Sequence, residues 1–337
     1  MIARAFRISH FLLGSHSGPS ENLNVKLTSL TIGYKMNYIK ALKITTLAEN
    51  IAYGKLLGQW GLSFLIEAVD AKDKKTKIVF DTGINKKALL HNIKTLKLDL
   101  TDIDSIILSH GHLDHTAATV EVTKTAGNVK IYAHPHTFLP KFHQDKKGKR
   151  RNIGVPKNEG IDHIEKAGGT IQLKKTPTEV APCIWTTGQI KRATAFEQPL
   201  PLSEKERIII VIDGDETDDQ ILDDQALWMN VKGTDPIVIT GCAHAGLINT
   251  LLHVQKIGNF KQIHTLIGGT HLVDRTDQYF QQTVNELKKS GLKLISPCHC
   301  TGFKATSNLW HTFPKEFILN FSGRTIETGK EPEMQLF

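Results

Sequence analysis

Only four cysteines, Cys183, Cys242, Cys298 and Cys300, occur in 337 residues. Their small number and uneven spacing exclude a disulfide framework and point to a reducing, cytoplasmic setting. Long hydrophobic runs are also missing: none approaches the roughly 20 residues that span a bilayer, so a membrane protein is not expected. Aromatic residues make up 7% of the chain, and no basic strand is interleaved with them. With no recognisable RNA-binding module either, the composition argues against a nucleic-acid partner. Acids are scarce at the start, where Glu21 stands alone against Arg4, Arg7, Lys26 and Lys35. Residues 1–35 are therefore set apart as an extension: a targeting segment, a disordered leader, or the product of a mis-assigned start, because strand-like patterning begins just after Met36. The extension lacks the apolar core of a secretory signal.

What is present is an ordinary globular composition, 40% hydrophobic and 23% charged, with a formal charge of +8 that favours anionic partners. Residues 36–337 read as one domain. Apolar strands are expected at Leu62–Val69 and Lys77–Gly83 across a charged turn, then at Asp104–Ser109 and Asn128–His134. Buried-strand runs recur at Arg207–Asp213, Asp235–Gly241, Ile263–Gly269 and Lys293–His299. Helical spacing marks Lys86–Leu96, "GLINTLLHVQKI" and "DQYFQQTVNELKKSG". Strands in two groups with helices between them predict an α/β layered sandwich. The polar, basic stretch of about 140–206 reads as an insertion or cover.

The most informative stretch is "ILSHGHLDHTAA", which places His110, His112, Asp114 and His115 directly after an apolar strand. His110 and His112, two apart on extended backbone, project to one side. Asp114 and His115 follow where a helix begins, so two pairs of ligands separated by a turn can serve two adjacent cations. Imidazole and carboxylate together suit zinc, with manganese or iron as alternatives. Further candidates stand at strand ends: Asp81, Cys242, His244, His271 and His299.

"FDTG", "SHGHLDH", "GCAH" and "PCHCTG" in that order resemble the motifs of the metallo-β-lactamase superfamily, over about Leu47 to Thr301. The implied fold is its αββα four-layer sandwich. A finer resemblance, carried by "LAEN", "GLSFLIE", "TTGQIKRATAFE", "DDQAL", "GCAHAGLINT", "IGGTHL" and "HCTG", is to the branch of dihydropterin–aminobenzene ribofuranosyl phosphate synthases of methanopterin biosynthesis. Position by position, the resemblance implies two divalent metal ions, one on His110, His112 and His244 and the other on Asp114, His115 and His299. Asp114 and Asp81 become its catalytic carboxylates, Asp81 by orienting ligands. One departure stands out. Where superfamily members commonly carry a bridging aspartate, this chain has Gly268-Gly269, and His271 is the nearest coordinating side chain, with Asp274 in reserve.

The branch implies a transferase that joins the two substrates and releases diphosphate; the alternative is a general metallo-hydrolase of the phosphodiesterase, lactonase or thioesterase type. Either acts on an anionic small molecule. Lys149 and Arg150, in the basic run "KFHQDKKGKRRN", are candidate phosphate clamps, as are Lys191 and Arg192, with Glu197 to hold a base or meet a pterin ring. The acid-rich Asp213–Leu227 lacks the register of an EF-hand and reads as a solvated turn. His134 and His136 read as surface or substrate-side groups, and Cys298 and Cys300 as buried thiols beside a ligand histidine. A diiron electron-transfer protein is disfavoured by His112, which stands where such relatives carry glutamate.

Overall fold

In the computed structural model, residues 38–199, 206–234 and 236–328 are described. The expectations for residues 1–35 lie outside them. The first sheet starts as an antiparallel meander of β1 (Ile39–Ala48), β2 (Ser63–Asp70) and β3 (Lys75–Phe80). After β3 the chain crosses through α1 (Lys86–Thr95), whose Asn85 side chain accepts the N–H groups of Lys87 and Ala88 and so satisfies two orphan donors of the first turn. Parallel β4 (Ser105–Ile107) follows, then the short α2 (Leu113–Thr116), α3 (Thr119–Ala126) and β5 (Val129–Ala133).

Next come β6 (Lys141–Gln144) and β7 (Arg150–Asn152), then α4 (Ile161–Lys166) and β8 (Gly169–Leu173). The edge strand β8 pairs parallel to β5. The second sheet takes β9 (Thr178–Ala181) and β10 (Ile184–Thr186). After β11 (Arg207–Ile212) and β12 (Asp215–Asp218), it continues through β13 (Ala226–Met229) and β14 (Ile237–Thr240). It then runs through α5 (Leu247–Gly258), β15 (Thr265–Gly269), α6 (Asp277–Lys289) and β16 (Leu294–Cys298). The last elements are α7 (Phe303–Thr312) and β17 (Thr325–Glu327), which returns to pair with β1.

The strand orders are β17-β1-β2-β3-β4-β5-β8 and β16-β15-β14-β13-β10-β9. Alternation of side chains builds the layers. Phe64, Ile66 and Phe80 meet Leu227, Ile239 and Ile267 between the sheets. Leu65 and Val79 turn outward onto Leu89, Val122 and Ile164 of α1, α3 and α4. Val238 and Leu266 turn the other way onto Leu251, Val284 and Leu309 of α5, α6 and α7. The result is the αββα four-layer sandwich.

Two expectations change. The 140–206 stretch is not a single insertion: α4, β8, β9 and β10 belong to the main layers. As edge strands, β8 and β9 are half-exposed, which gives them the mixed polarity of a loop. Only 141–152 stands apart, pairing with Arg207–Asp218 in a small sheet ordered β12-β11-β6-β7. For the same reason "RIIIVID", expected as a buried core strand, lies half-covered in that sheet.

Candidate metal centre

The centre sits where β3, β4, β14, β15 and β16 end. Four non-glycine residues there adopt positive φ: Asp81 (57°), Ala243 (57°), His271 (47°) and His299 (53°). Such backbone is disfavoured for side-chain-bearing residues and clusters at functional sites. Here it turns each strand abruptly, so that side chains from four different connections converge.

Five overlapping groups of donor atoms, each within 4.8 Å of one another, result among the described residues, and two of them are the expected sets: His110, His112 and His244; and Asp114, His115 and His299. Asp81 governs both. The Ser109 hydroxyl donates to Asp81 Oδ2 at 2.7 Å, so its lone pair accepts from His110 Nδ1 at 2.9 Å. His115 Nδ1 donates to Asp81 Oδ2 at 2.7 Å. His299 Nδ1 faces Asn50 Oδ1 at 3.3 Å. In each ring Nδ1 is thus engaged by a neighbour and Nε2 is turned to the centre, the orientation a metal ligand requires.

The donors fit a divalent cation. His110 Nε2 and His112 Nδ1 face each other at 3.0 Å, and His299 Nε2 lies 3.3 Å from Asp114 Oδ2. Two ligands at zinc bond lengths on a tetrahedron sit about 3.3 Å apart. His244 Nε2 and His271 Nδ1 are buried without a hydrogen-bond partner, a costly state for polar atoms unless a ligand fills it. Burial, reinforced by neighbouring imidazoles, pushes His110 and His244 well below their ordinary pKa, so both are neutral. Burial also pulls His115 down, but Asp81 and Asp114 outweigh it and hold it up at about 9. Burial opposes ionisation of Asp114; the imidazoles of His115 and His299 overcome that and keep its carboxyl well below the usual range. A cation held there would have to displace the His115 proton.

His271 also reaches the centre, its ring 4.2 Å from that of His244. Asp274 joins no donor group among the described residues.

Residues remote in sequence brace these loops. Lys141, fully buried, lies 2.7 Å from Asp219 and 3.0 Å from Asp223. Asp223 also accepts the N–H of Gly111, between the first two histidines, at 2.7 Å. Asp224 accepts the N–H of Ala245 at 2.8 Å, and Gln225 donates to the carbonyl of Leu108 at 2.9 Å. The expected solvated turn is therefore exposed over Asp213–Asp218 and at Gln220, whereas Asp219, Asp223 and Asp224 are buried. Glu49 accepts the N–H of His299 at 2.8 Å, which explains "LAEN" locally. His134 is not a surface group either. It is buried, accepts the N–H of His136, and is pushed down to about 4, chiefly by burial.

Above the donors opens a cavity of about 880 Å³ whose wall includes Arg151, Arg192, Arg207 and Arg275. Arg192 is the one sequence-expected clamp residue on that wall, donating to the carbonyls of Gln220 and His244 at 2.9 and 3.3 Å. Lys149 and Lys191 are exposed and outside the wall. Arg150 is paired with Glu216 on the cover sheet, 2.9 Å between Nη2 and Oε2. Glu197 meets neither a base nor the cavity: it accepts the N–H groups of Ile248 and Asn249 at the start of α5, at 2.7 and 2.6 Å. A larger, mostly apolar groove of about 1890 Å³ runs along α7 and β16; the chemistry belongs to the smaller cavity, where the donor sets lie.

Histidine-rich loops at the strand ends of an αββα sandwich define one class, and the sequence profile of the metallo-beta-lactamase superfamily matches residues 61–258. The chain belongs to that superfamily. It is 33% identical over 293 residues to the 7,8-dihydropterin-6-methyl-4-(beta-D-ribofuranosyl)-aminobenzene-5'-phosphate synthase of Methanocaldococcus jannaschii, a match covering 85% of this chain and 96% of that protein. An uncharacterized protein of the same organism is 32% identical over 284 residues, 84% of this chain and 99% of the relative. Among solved structures, a metal-dependent hydrolase of the beta-lactamase superfamily superposes with a TM-score of 0.69 at 22% identity, over 86% of this chain and all of that one. That likeness concerns the fold. Among the described residues no helix is long and apolar enough to cross a membrane.

Proposed function

We propose that the chain is a dinuclear metal enzyme acting on a phosphorylated or diphosphorylated small molecule, and specifically a synthase that joins a dihydropterin diphosphate to an aminobenzene ribofuranosyl phosphate. The observation that carries it is the pairing of two donor sets with an arginine-lined cavity directly above them. His110, His112 and His244 would hold one cation, and Asp114, His115 and His299 the other, with Asp81 fixing ring orientation. Imidazole with carboxylate suits zinc, with manganese or iron as alternatives. Such cations would supply Lewis acidity towards phosphoryl oxygens.

The rest follows from the chain's own residues. Arg192 and Arg275, on the cavity wall, would orient the diphosphate as leaving group. Trp60, 53% exposed on the cavity wall and 5.2 Å from the ring of His299, offers a flat face to a pterin or aminobenzene ring. The 33% identity to a protein named as this synthase supports the substrate class.

The test is turnover by metal-loaded protein given both substrates together, following diphosphate and the coupled product. Coupled product with diphosphate, lost in His110→Ala, is the expected result. Metal-dependent cleavage of generic phosphodiesters or lactones without coupling would leave a hydrolase on the same centre.

A further inference from the structure

The donor sets contain a side chain that neither triad uses. Cys242, at the end of β14, is buried, and its Sγ lies 3.2 Å from His115 Nε2. It groups within 4.8 Å with His110 and His115, again with His244 and His271, and a third time with His299 and Cys300. Among the described residues no other donor belongs to three such groups, and these three together include members of both triads. A sulfur there faces both cation positions at once. The second triad also supplies only three protein donors, one short of the four of a closed tetrahedral set.

The neighbouring backbone explains why sulfur fills this position. On β15, next to β14, a Cβ at Gly268 would lie 2.1 Å from the carbonyl oxygen of Thr240. At Gly269 it would lie 2.2 Å from that of Gly241 and 2.7 Å from Cys300 Sγ. No side chain fits at either glycine as the strands stand, so neither of these two positions can present a carboxylate to the centre. Cys300 packs into the space instead. Its thiol faces the carbonyl oxygen of Cys242 at 3.6 Å, and its sulfur accepts the N–H of His271 at 3.3 Å. It holds the Cys242 backbone, while its own sulfur shares just one of the donor groups, that with Cys242 and His299.

We propose that Cys242 is a metal ligand: its thiolate completes the set of Asp114, His115 and His299 and leans towards the cation of His110, His112 and His244, in the role a bridging carboxylate would otherwise play. Cys300 is its positioning residue. Coordination to the Asp114, His115 and His299 cation would replace the S–H bond by a sulfur–metal bond, with the thiol proton released to solvent. The centre becomes softer than an imidazole–carboxylate set, which selects zinc over manganese. The inference rests on the donor sets being a metal centre, and its test separates the two ideas.

The full chain is stripped of metal and loaded with cobalt(II), and its near-ultraviolet absorption is recorded. The expected result is a sulfur-to-cobalt charge-transfer band that disappears in Cys242→Ser and persists in Cys183→Ser and Cys300→Ser. Cobalt bound without such a band, or a band that survives Cys242→Ser, overturns the thiolate while leaving the metal centre intact. A wild type that binds no cobalt overturns both. X-ray absorption of the zinc-loaded wild type needs no variant to fold: a sulfur scatterer at about 2.3 Å supports the ligand, and nitrogen and oxygen alone at about 2.0–2.2 Å refute it.

Discussion

The ammonium of Lys141 lies 3.0 Å from one oxygen of Asp223, whose other oxygen accepts the N–H of Gly111 at 2.7 Å. A buried ion pair on the cover sheet is thus wired to the backbone between His110 and His112. A Cβ on Gly111 would stand 2.1 Å from the carbonyl oxygen of Thr137 and 3.1 Å from Lys141 Cε, so the loop has no freedom to move away.

Removing the cation from this arrangement leaves two buried carboxylates without their counter-ion, each held only by a backbone N–H. Lys141→Met is expected to destabilise the fold by about 3–5 kcal/mol, the range for breaking a buried pair from one side. Urea titration of the metal-free protein reads this directly. A change under about 1 kcal/mol would mean that water reaches Asp219 and Asp223.

Asp81 accepts from Ser109 and His115 and thereby sets two rings. Asp81→Asn keeps the shape but offers one amide N–H where an acceptor is needed. Metal affinity should fall by roughly 10–100-fold, as for other losses of ligand-orienting carboxylates. Competition with a chromogenic chelator measures it, and an unchanged dissociation constant would remove Asp81 from that role.

On the cavity wall, Arg192→Ala and Arg275→Ala should each raise KM for a phosphorylated substrate by roughly 10-fold or more, from the loss of a charge-assisted contact. Arg150→Ala should leave kinetics unchanged, because Arg150 is spent on Glu216 outside the cavity. Equal losses in all three would point to general electrostatic attraction instead.

Glu159 offers a pH signature away from the centre. Burial raises it to about 7, against a weaker opposing pull from the N–H of Val120. The folded state therefore favours the protonated carboxyl. Its contribution to stability is full below the ordinary carboxylate pKa and is lost as pH rises through about 7. The wild type should lose melting temperature between pH 5 and 8 relative to Glu159→Gln. Parallel profiles would show that Glu159 ionises freely in the fold.

The layered fold was legible because alternation and helical spacing are local properties, visible within single elements such as β2 or α6. The histidine motif was legible for the same reason: four donors lie within six positions. The braces were not. Lys141 meets its partners 78 and 82 residues away, so Asp219 and Asp223 looked like members of a solvated acidic run. On β7 the cavity is lined by Arg151 and not by its neighbour Arg150. Arg150 and Arg151 are consecutive on β7 and point to opposite faces, and only the pairing of β7 with β6 settles which one meets the cavity. Glu197 carried no signal of its own, because its partners are backbone N–H groups of a helix that begins 50 residues later.

The glycine pair at 268 and 269 also bears on how this centre can change over generations. Any single substitution there would drive a side chain into the neighbouring strand or into Cys300. A side chain at Gly268 would need β14 to move away at Thr240, and one at Gly269 would need both β14 and Cys300 to give way. The close approach of these two strands and the absence of side chains at 268 and 269 are therefore one feature, which cannot be altered in one part without the other.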